Sequence, residues 1–408
     1  MPILSIFKST VLLLVLLVSS CRGQEKKTDT AAISVKSDSL LKISVAANRT
    51  TTYLPLLKDK SVGIVANQTS VIFKENGYAH LVDSLISLQV DVSKVFAPEH
   101  GFRGKADAGE LVKDGLDTKT GLPIVSLYGK NRKPSQEQLD GLDLVVFDIQ
   151  DVGVRFYTYI ATLQLVMDAC AENDIPILVL DRPNPNGHYV DGPTMKKEHT
   201  SFLGMTTIPL VYGMTMGEYA QMINGEQWLE SGKKVDLTVI TLQNYSHESE
   251  YHLPIRPSPN LPNDVSITLY PSLGLFEGTN VNAGRGTEFQ FQRYGASFLD
   301  SVQYDFIYTP KPNFGSKHPK EEGKRSFGKD LSQSERMESV SLQWLLDAYK
   351  NTPDKSKFFI TKSFTKHAGT PELQKQIEAG STELEIKASW QEDLEAFKKI
   401  RAKYLIYE

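Results

Sequence analysis

Leu144-Val145-Val146-Phe147 constrains this chain more than any other segment, because four consecutive apolar residues cannot form a half-solvated strand. A strand with one wet face alternates apolar and polar residues, whereas an unbroken apolar run belongs to a strand covered on both faces. The run has company. Val62–Ala66, Val92–Ala97, Pro123–Leu127, Leu142–Ile149 and Ile175–Leu180 all read as short β-rich stretches. Helical patterns fall between them near His80–Leu88, Gln136–Leu139 and Tyr157–Glu172, and Ser135 with Gln138 has capping-box spacing. Strand alternating with helix predicts an α/β fold on a Rossmann-like, doubly wound, mostly parallel sheet.

A further helix is expected over Met216–Glu230, started by Thr215 with Glu218 at the capping-box position, and a strand over Asp236–Leu242. Around Arg256-Pro257-Ser258-Pro259-Asn260-Leu261-Pro262 the chain reads as a rigid extended loop. From about residue 300 the pattern is mixed: strand-like Phe306–Tyr308, a helix near Leu342–Tyr349, strand-like Phe358–Phe364, then two helices. Thr370-Pro371 starts the first of these and Gly380 ends it; Ser389 and Glu392 cap the last. The expected organisation is a Rossmann-like domain over 45–298 and a smaller α+β domain over 299–408 that closes a cleft.

Lys8 precedes the apolar core Val11–Val18, too short to span a membrane as a helix. Val18-Ser19-Ser20-Cys21 resembles a bacterial lipobox. Residues 1–20 are therefore expected to be a lipoprotein signal peptide, Cys21 a lipid-modified terminus and 21–44 a polar tether. That places the chain on a bacterial cell envelope, at the periplasmic face or outer membrane, with the membrane as partner only through this lipid. After Cys21 only Cys170 remains, in an apolar helical pattern that suits a buried small hydrophobe. Net charge is −4 with no basic stripe, which argues against nucleic acid as a partner.

Ligands of open parallel sheets sit beyond the carboxyl ends of the strands. Four polar clusters follow apolar runs: Glu99, His100 and Arg103; Asp148, Gln150, Asp151, Arg155, Tyr157 and Tyr159; Asp181, Arg182, Asn184 and Asn186; and Glu277-Gly278-Thr279-Asn280 leading to Arg285 and Thr287. Each also has a structural reading, as turn residues, caps or local ion pairs. Glu218 reads as a capping-box residue only, and His80, His199, His247 and His318 as surface residues. Four clusters at one sheet edge favour a shared pocket.

Several chemistries lack their motifs. There is no Gly-x-Gly-x-x-Gly after a strand, no complete Gly-x-x-x-x-Gly-Lys-Ser/Thr loop, no His-Glu-x-x-His and no Gly-x-Ser-x-Gly elbow. His100 and His188 have no partner at metal-site spacing. What remains is carboxylate chemistry supported by arginines and amides, which requires no metal or organic cofactor. It suits an anionic sugar: carboxylates act on the glycosidic bond, arginines grip the anion, and Asn and Gln read hydroxyls or an N-acetyl group.

Phe96-Ala97-Pro98-Glu99-His100-Gly101-Phe102-Arg103-Gly104, Asp148-Ile149-Gln150-Asp151-Val152-Gly153, Asp181-Arg182-Pro183-Asn184-Pro185, Pro257–Pro262, Glu277–Asn280, Gly284–Thr287 and His367-Ala368-Gly369-Thr370 together resemble the signature of one family. It is the exo-β-N-acetylmuramidases of glycoside hydrolase family 171, formerly known only as a domain of unknown function. The resemblance runs in order from about residue 45 to 407. It implies a Rossmann-like domain plus a smaller one with the site between them, and release of N-acetylmuramic acid from the non-reducing end of peptidoglycan fragments. The family's proposed catalytic glutamate falls on Glu99.

On that resemblance Glu99 is expected as general acid, with His100 orienting it. Asp148 or Asp151 is expected as the second carboxylate, and Asp181 as the reserve. Arg103, Arg155, Arg182 and Arg285 are candidates for the lactyl carboxylate, and Gln150, Tyr157, Asn184, Asn280 and Thr287 for other substrate contacts. The chain departs from the family after Thr287, where Glu288–Phe298 replaces a Pro-Phe pair and a Gly-Ala-Pro-Trp-like segment. The alternative of a different class is a non-catalytic, lipid-anchored muropeptide binder. Stereochemical course and oligomeric state stay open.

Overall fold

The computed structural model describes residues 42–104 and 114–408; the leader, Cys21 and nearly all of the tether lie outside the described residues. Successive side chains of a strand face opposite ways, and here both sets are apolar and covered. Val65, Phe96, Val145, Phe147, Ile177 and Val179 enter one core layer, with helices Tyr159–Glu172 and Met216–Gly225. Ile64, Val95, Val146, Leu178 and Leu180 enter the other, against Thr50–Leu57 and Leu81–Ser87. Cys170 is fully buried in the first layer, and burial pushes its thiol up to about 12.

The strands run in the order Gly115–Leu116, Pro123–Ser126, Val92–Ala97, Val62–Ala66, Leu144–Asp148, Ile177–Leu180, Leu237–Ile240. All neighbours are parallel except the edge strand Gly115–Leu116, which is antiparallel to Pro123–Ser126. Counted in chain order the parallel strands lie 3-2-1-4-5-6, the Rossmann winding, with its reversal between Val62–Ala66 and Leu144–Asp148. The expected α/β fold is present. At the reversal the crevice is stitched shut: the Thr69 hydroxyl accepts from Gln150 N at 3.0 Å, and the Ser70 hydroxyl donates to the Asp148 carbonyl.

Downstream, a small antiparallel sheet of Arg293–Ala296, Ser326–Asp330 and Phe306–Tyr308 is followed by five α-helices from Gln343–Lys350 to Gln391–Arg401. Two local expectations are corrected here. Phe358–Phe364 is not a strand: a 3-10 turn at Lys355–Lys357 leads into helix Thr361–Ala368. Its aromatic residues were read as β-formers, but they pack ring on ring, Phe358 on Phe359 at 4.8 Å and Phe359 on Phe364 at 4.6 Å. Ser389 does not cap the last helix. Its hydroxyl donates to the Ile386 carbonyl at 2.6 Å, ending helix Glu383–Ala388, whose own capping box is Thr382 and Glu385.

Two histidines expected at the surface are structural. His80 Nε2 donates to the Asn67 carbonyl at 2.9 Å, and its Nδ1 accepts from Val82 N, capping helix Leu81–Ser87. Burial lowers its pKa to about 4. His247 is buried against Glu218 at 3.0 Å. Glu218 does complete the Thr215 capping box with one oxygen. Its other oxygen receives the end of the chain, accepting from Ile406 N at 2.9 Å and Tyr407 N at 3.2 Å. The Tyr407 hydroxyl donates to Asp181 at 2.6 Å, and His247 N donates to the Glu408 carbonyl.

Candidate active site

Strand Val92–Ala97 ends in Pro98, and the chain then turns sharply: His100 has φ +69° and Gly101 φ +77°, with Gly101 N donating to the Pro98 carbonyl at 3.0 Å. Glycine takes this conformation freely, whereas for histidine it costs about 1 kcal/mol or more. Such a strained residue marks a turn held for what it presents. Here it presents Glu99, which together with buried His100 lines a cavity of about 660 Å³. Thr158 Oγ1 donates to Glu99 Oε2 and the Tyr159 hydroxyl to the Glu99 carbonyl, each at 3.3 Å. Both donors stand at the start of helix Tyr159–Glu172, so the sheet's carboxyl edge fixes the glutamate from two sides. Tyr128 reaches the same carboxylate, and burial with the nearby Glu99 charge pushes its phenol up to about 12.

The facing wall comes from the second half of the chain. Glu277 and Arg285 pair at 3.2 Å through the arginine Nε. Burial works against ionisation of Glu277, but Arg285, Lys320 and His367 outweigh it and hold the carboxyl below its ordinary range. Arg285 feels Glu99 as well as Glu277, and its guanidinium lies 5.3 Å from the centroid of Phe291, another cavity residue held at positive φ (+52°). Its two terminal nitrogens make no hydrogen bond among the described residues. Asn282 carries this wall, donating to the carbonyls of Arg285 at 3.0 Å and Lys320 at 2.8 Å. Tyr270 forms an aromatic floor with Phe156 and Phe291. Tyr157 also lines the cavity, its hydroxyl tied to the Pro257 carbonyl at 2.7 Å.

Of the residues expected here, Glu99, His100, Tyr157 and Arg285 line the cavity, joined by Tyr159 and Glu277 from the same clusters, and the others do not. Asp148 is wholly buried in a bidentate pair with Arg182, at 2.6 and 2.9 Å, and Arg182 also holds the Val71 carbonyl of hairpin Val71–His80. Asp151 accepts from Gly153 N at 2.6 Å and the Tyr212 hydroxyl at 2.5 Å, and burial pushes it up to about 7. Asp181 is held by Thr215, Gly217 and Tyr407.

Arg103 is spent on Asp117 and Asp83. Arg155 is fully buried and, among the described residues, donates to carbonyls alone, those of Pro193, Ile208, His367 and Ala368. Gln150 bonds the Asp151 and Pro183 carbonyls, Asn184 the Met214 carbonyl, Asn280 the Lys357 carbonyl and Thr287 the Gly284 carbonyl. These motifs build the cavity's supports rather than its surface. Glu277 stood in its cluster without a role, His367 only in a quoted motif, and Lys320 gave no sequence signal. Among the described residues no group of three or more His, Cys, Asp or Glu gathers to hold a metal, and no helix is long and apolar enough to cross a membrane.

Comparison with known proteins finds matches along most of the chain. Residues 62–265 match the family described as exo-beta-N-acetylmuramidase NamZ, N-terminal, and residues 268–407 its C-terminal counterpart. A Bacillus subtilis (strain 168) protein named peptidoglycan beta-N-acetylmuramidase NamZ is 38% identical over 374 residues, covering 87% of this chain and 89% of its own length. Two crystal structures of DUF1343 family proteins from Bacteroides fragilis NCTC 9343 share the fold. One has a TM-score of 0.82 at 44% identity, the other 0.75 at 26%, and each aligns over 90% of this chain and 99% of its own.

Proposed function

This chain belongs to the exo-β-N-acetylmuramidase NamZ family, and from that membership we infer that it is a glycoside hydrolase releasing N-acetylmuramic acid from the non-reducing end of peptidoglycan fragments. The relationship does not favour the non-catalytic binder. The observation that carries a mechanism is the pairing of walls: Glu99 on a strained turn from the sheet, Glu277 with Arg285 from the other half. Glu99 is the general acid, giving its proton to the leaving glycosidic oxygen. Glu277, kept ionised by its cations, takes the place first sought at Asp148 or Asp151 and faces the positive charge that develops at the anomeric carbon. Arg285, anchored through Nε with its terminal nitrogens unpaired among the described residues, has a fork for the lactyl carboxylate that separates muramic acid from N-acetylglucosamine.

The lipobox-like Val18–Cys21 and the polar stretch after it support a lipid anchor at Cys21 on the cell envelope. The deciding experiment is release of N-acetylmuramic acid from N-acetylmuramyl-β-1,4-N-acetylglucosamine by wild type and Glu99→Gln. Turnover by the variant is expected to fall by about 10²–10⁴-fold with product binding retained. A Glu99→Gln enzyme at wild-type rate overturns the role of Glu99, and binding without release by wild type overturns the hydrolase.

A further inference from the structure

Resting on that reading, we propose that His367 is a substrate-contacting, specificity-determining residue whose Nε2 accepts a hydrogen bond from an N–H or O–H of the muramic acid sugar. His367 lines the cavity on the wall of Glu277 and Arg285. Its Nδ1 lies 2.8 Å from the Ser363 carbonyl, one helical turn back. A carbonyl only accepts, so the ring proton sits on Nδ1 and Nε2 carries a lone pair. Among the described residues Nε2 has no hydrogen-bond partner, and it is not sealed in the protein interior.

The neighbouring polar groups differ from it in charge. Lys320 and Arg285 are donors, and Glu277 is turned to Arg285. The cations of this wall recognise an anion; for a sugar's own donors the wall has the Glu277 carboxylate, which Arg285 already engages, and His367 Nε2 as its uncharged acceptor. A site built to bond a substrate N–H or O–H discriminates strongly against analogues that lack it.

The imidazole is held where such a contact needs it. Arg155 donates to the His367 and Ala368 carbonyls at 2.9 and 2.8 Å, fastening the carboxyl end of helix Thr361–Ala368, and Gly369 ends that helix at φ +83°. The Phe156 ring packs on the imidazole at 5.6 Å. The charged groups facing it are Glu277, Lys320 and Arg285. Burial keeps its pKa below the ordinary value, with Lys320 and Arg285 adding to this and the Ser363 carbonyl and Glu277 opposing. Nε2 therefore stays an acceptor at neutral pH.

The test compares wild type, His367→Phe and His367→Gln on the same disaccharide. His367→Phe is expected to raise KM about tenfold with kcat kept within about twofold. His367→Gln, whose Oε1 reaches a similar position, is expected to restore KM. Wild-type KM should climb as pH falls below the ordinary imidazole range and Nε2 gains a proton, while the glutamine variant stays flat. Calorimetry with N-acetylmuramic acid and its analogue bearing a hydroxyl in place of the acetamido group identifies the donor. A penalty lost on the analogue assigns the N–H, and one retained assigns an O–H.

His367→Phe with wild-type KM, or His367→Gln sharing the acid rise, overturns the proposal. If His367→Phe fails to fold, the glutamine comparison decides alone. A wild type that binds but never turns over removes the hydrolase reading, and this inference with it; an active wild type whose binding is indifferent to His367→Phe removes only the inference.

Discussion

Arg155 and Arg285 show how far a residue's type is from its role. Both sit in glycine-containing polar clusters, and both were reasonable grips for a carboxylate; one is sealed among carbonyls and the other opens on the cavity. Nothing local separates them, because Arg155 is buried by the His367–Gly369 segment more than two hundred positions away. Replacing Arg285 by Lys keeps the charge but removes the fork. The expected outcome is about a tenfold rise in KM for the muramic acid disaccharide with little change in urea midpoint, read from kinetics and unfolding side by side. His80 gives a prediction of the opposite kind, confined to stability. Its folded pKa, about 4, lies below the unfolded 6.5, so the unfolded chain binds more protons between those values and stability falls as pH drops through that window. The loss approaches about 3 kcal/mol by pH 4. Unfolding in urea at pH 7 and pH 4.5 should show this slope in wild type and a shallower one in His80→Gln.

At the scale of elements, the carboxyl end of helix Thr361–Ala368 brings His367 to the cavity. A Cβ on Gly369 would lie 2.7 Å from Arg155 Nη2 and 2.8 Å from the Met195 Cα, on a backbone that L residues adopt at a cost. Gly369→Ala should therefore destabilise by about 2 kcal/mol or more in urea unfolding, and raise KM along with it. This helix was also the element least legible in the sequence. Val62–Ala66 and Val92–Ala97 were readable to the residue because apolar runs bounded by turns leave little choice. The stretch from Phe358 to Phe364 carries no clean period, and its rings were assigned to a strand when tertiary packing had claimed them for a turn and a helix. The sheet edge that bears Glu99 was legible from the same strand logic. Glu277 stood in its cluster beside Arg285 but was given no role, because its second cation, Lys320, comes from forty-three residues further along the chain.

Across the whole molecule, the last residues return to the carboxyl edge of the first sheet. Ile406 and Tyr407 supply donors to Glu218, and Tyr407 another to Asp181, both acids being buried. Deleting residues 406–408 should cost about 3–5 kcal/mol, because charged acceptors are left short of partners in a dry site. Urea unfolding of the shortened chain measures this, and a loss below 1 kcal/mol would sink the account. The arrangement also sets an order of closure. Until residues 406–407 dock, Glu218 and Asp181 lack these hydrogen bonds, so the sheet made from the first half closes only when that segment arrives. An affinity tag fused after Glu408, whose carbonyl accepts from His247, would begin at that closure rather than on a free tail.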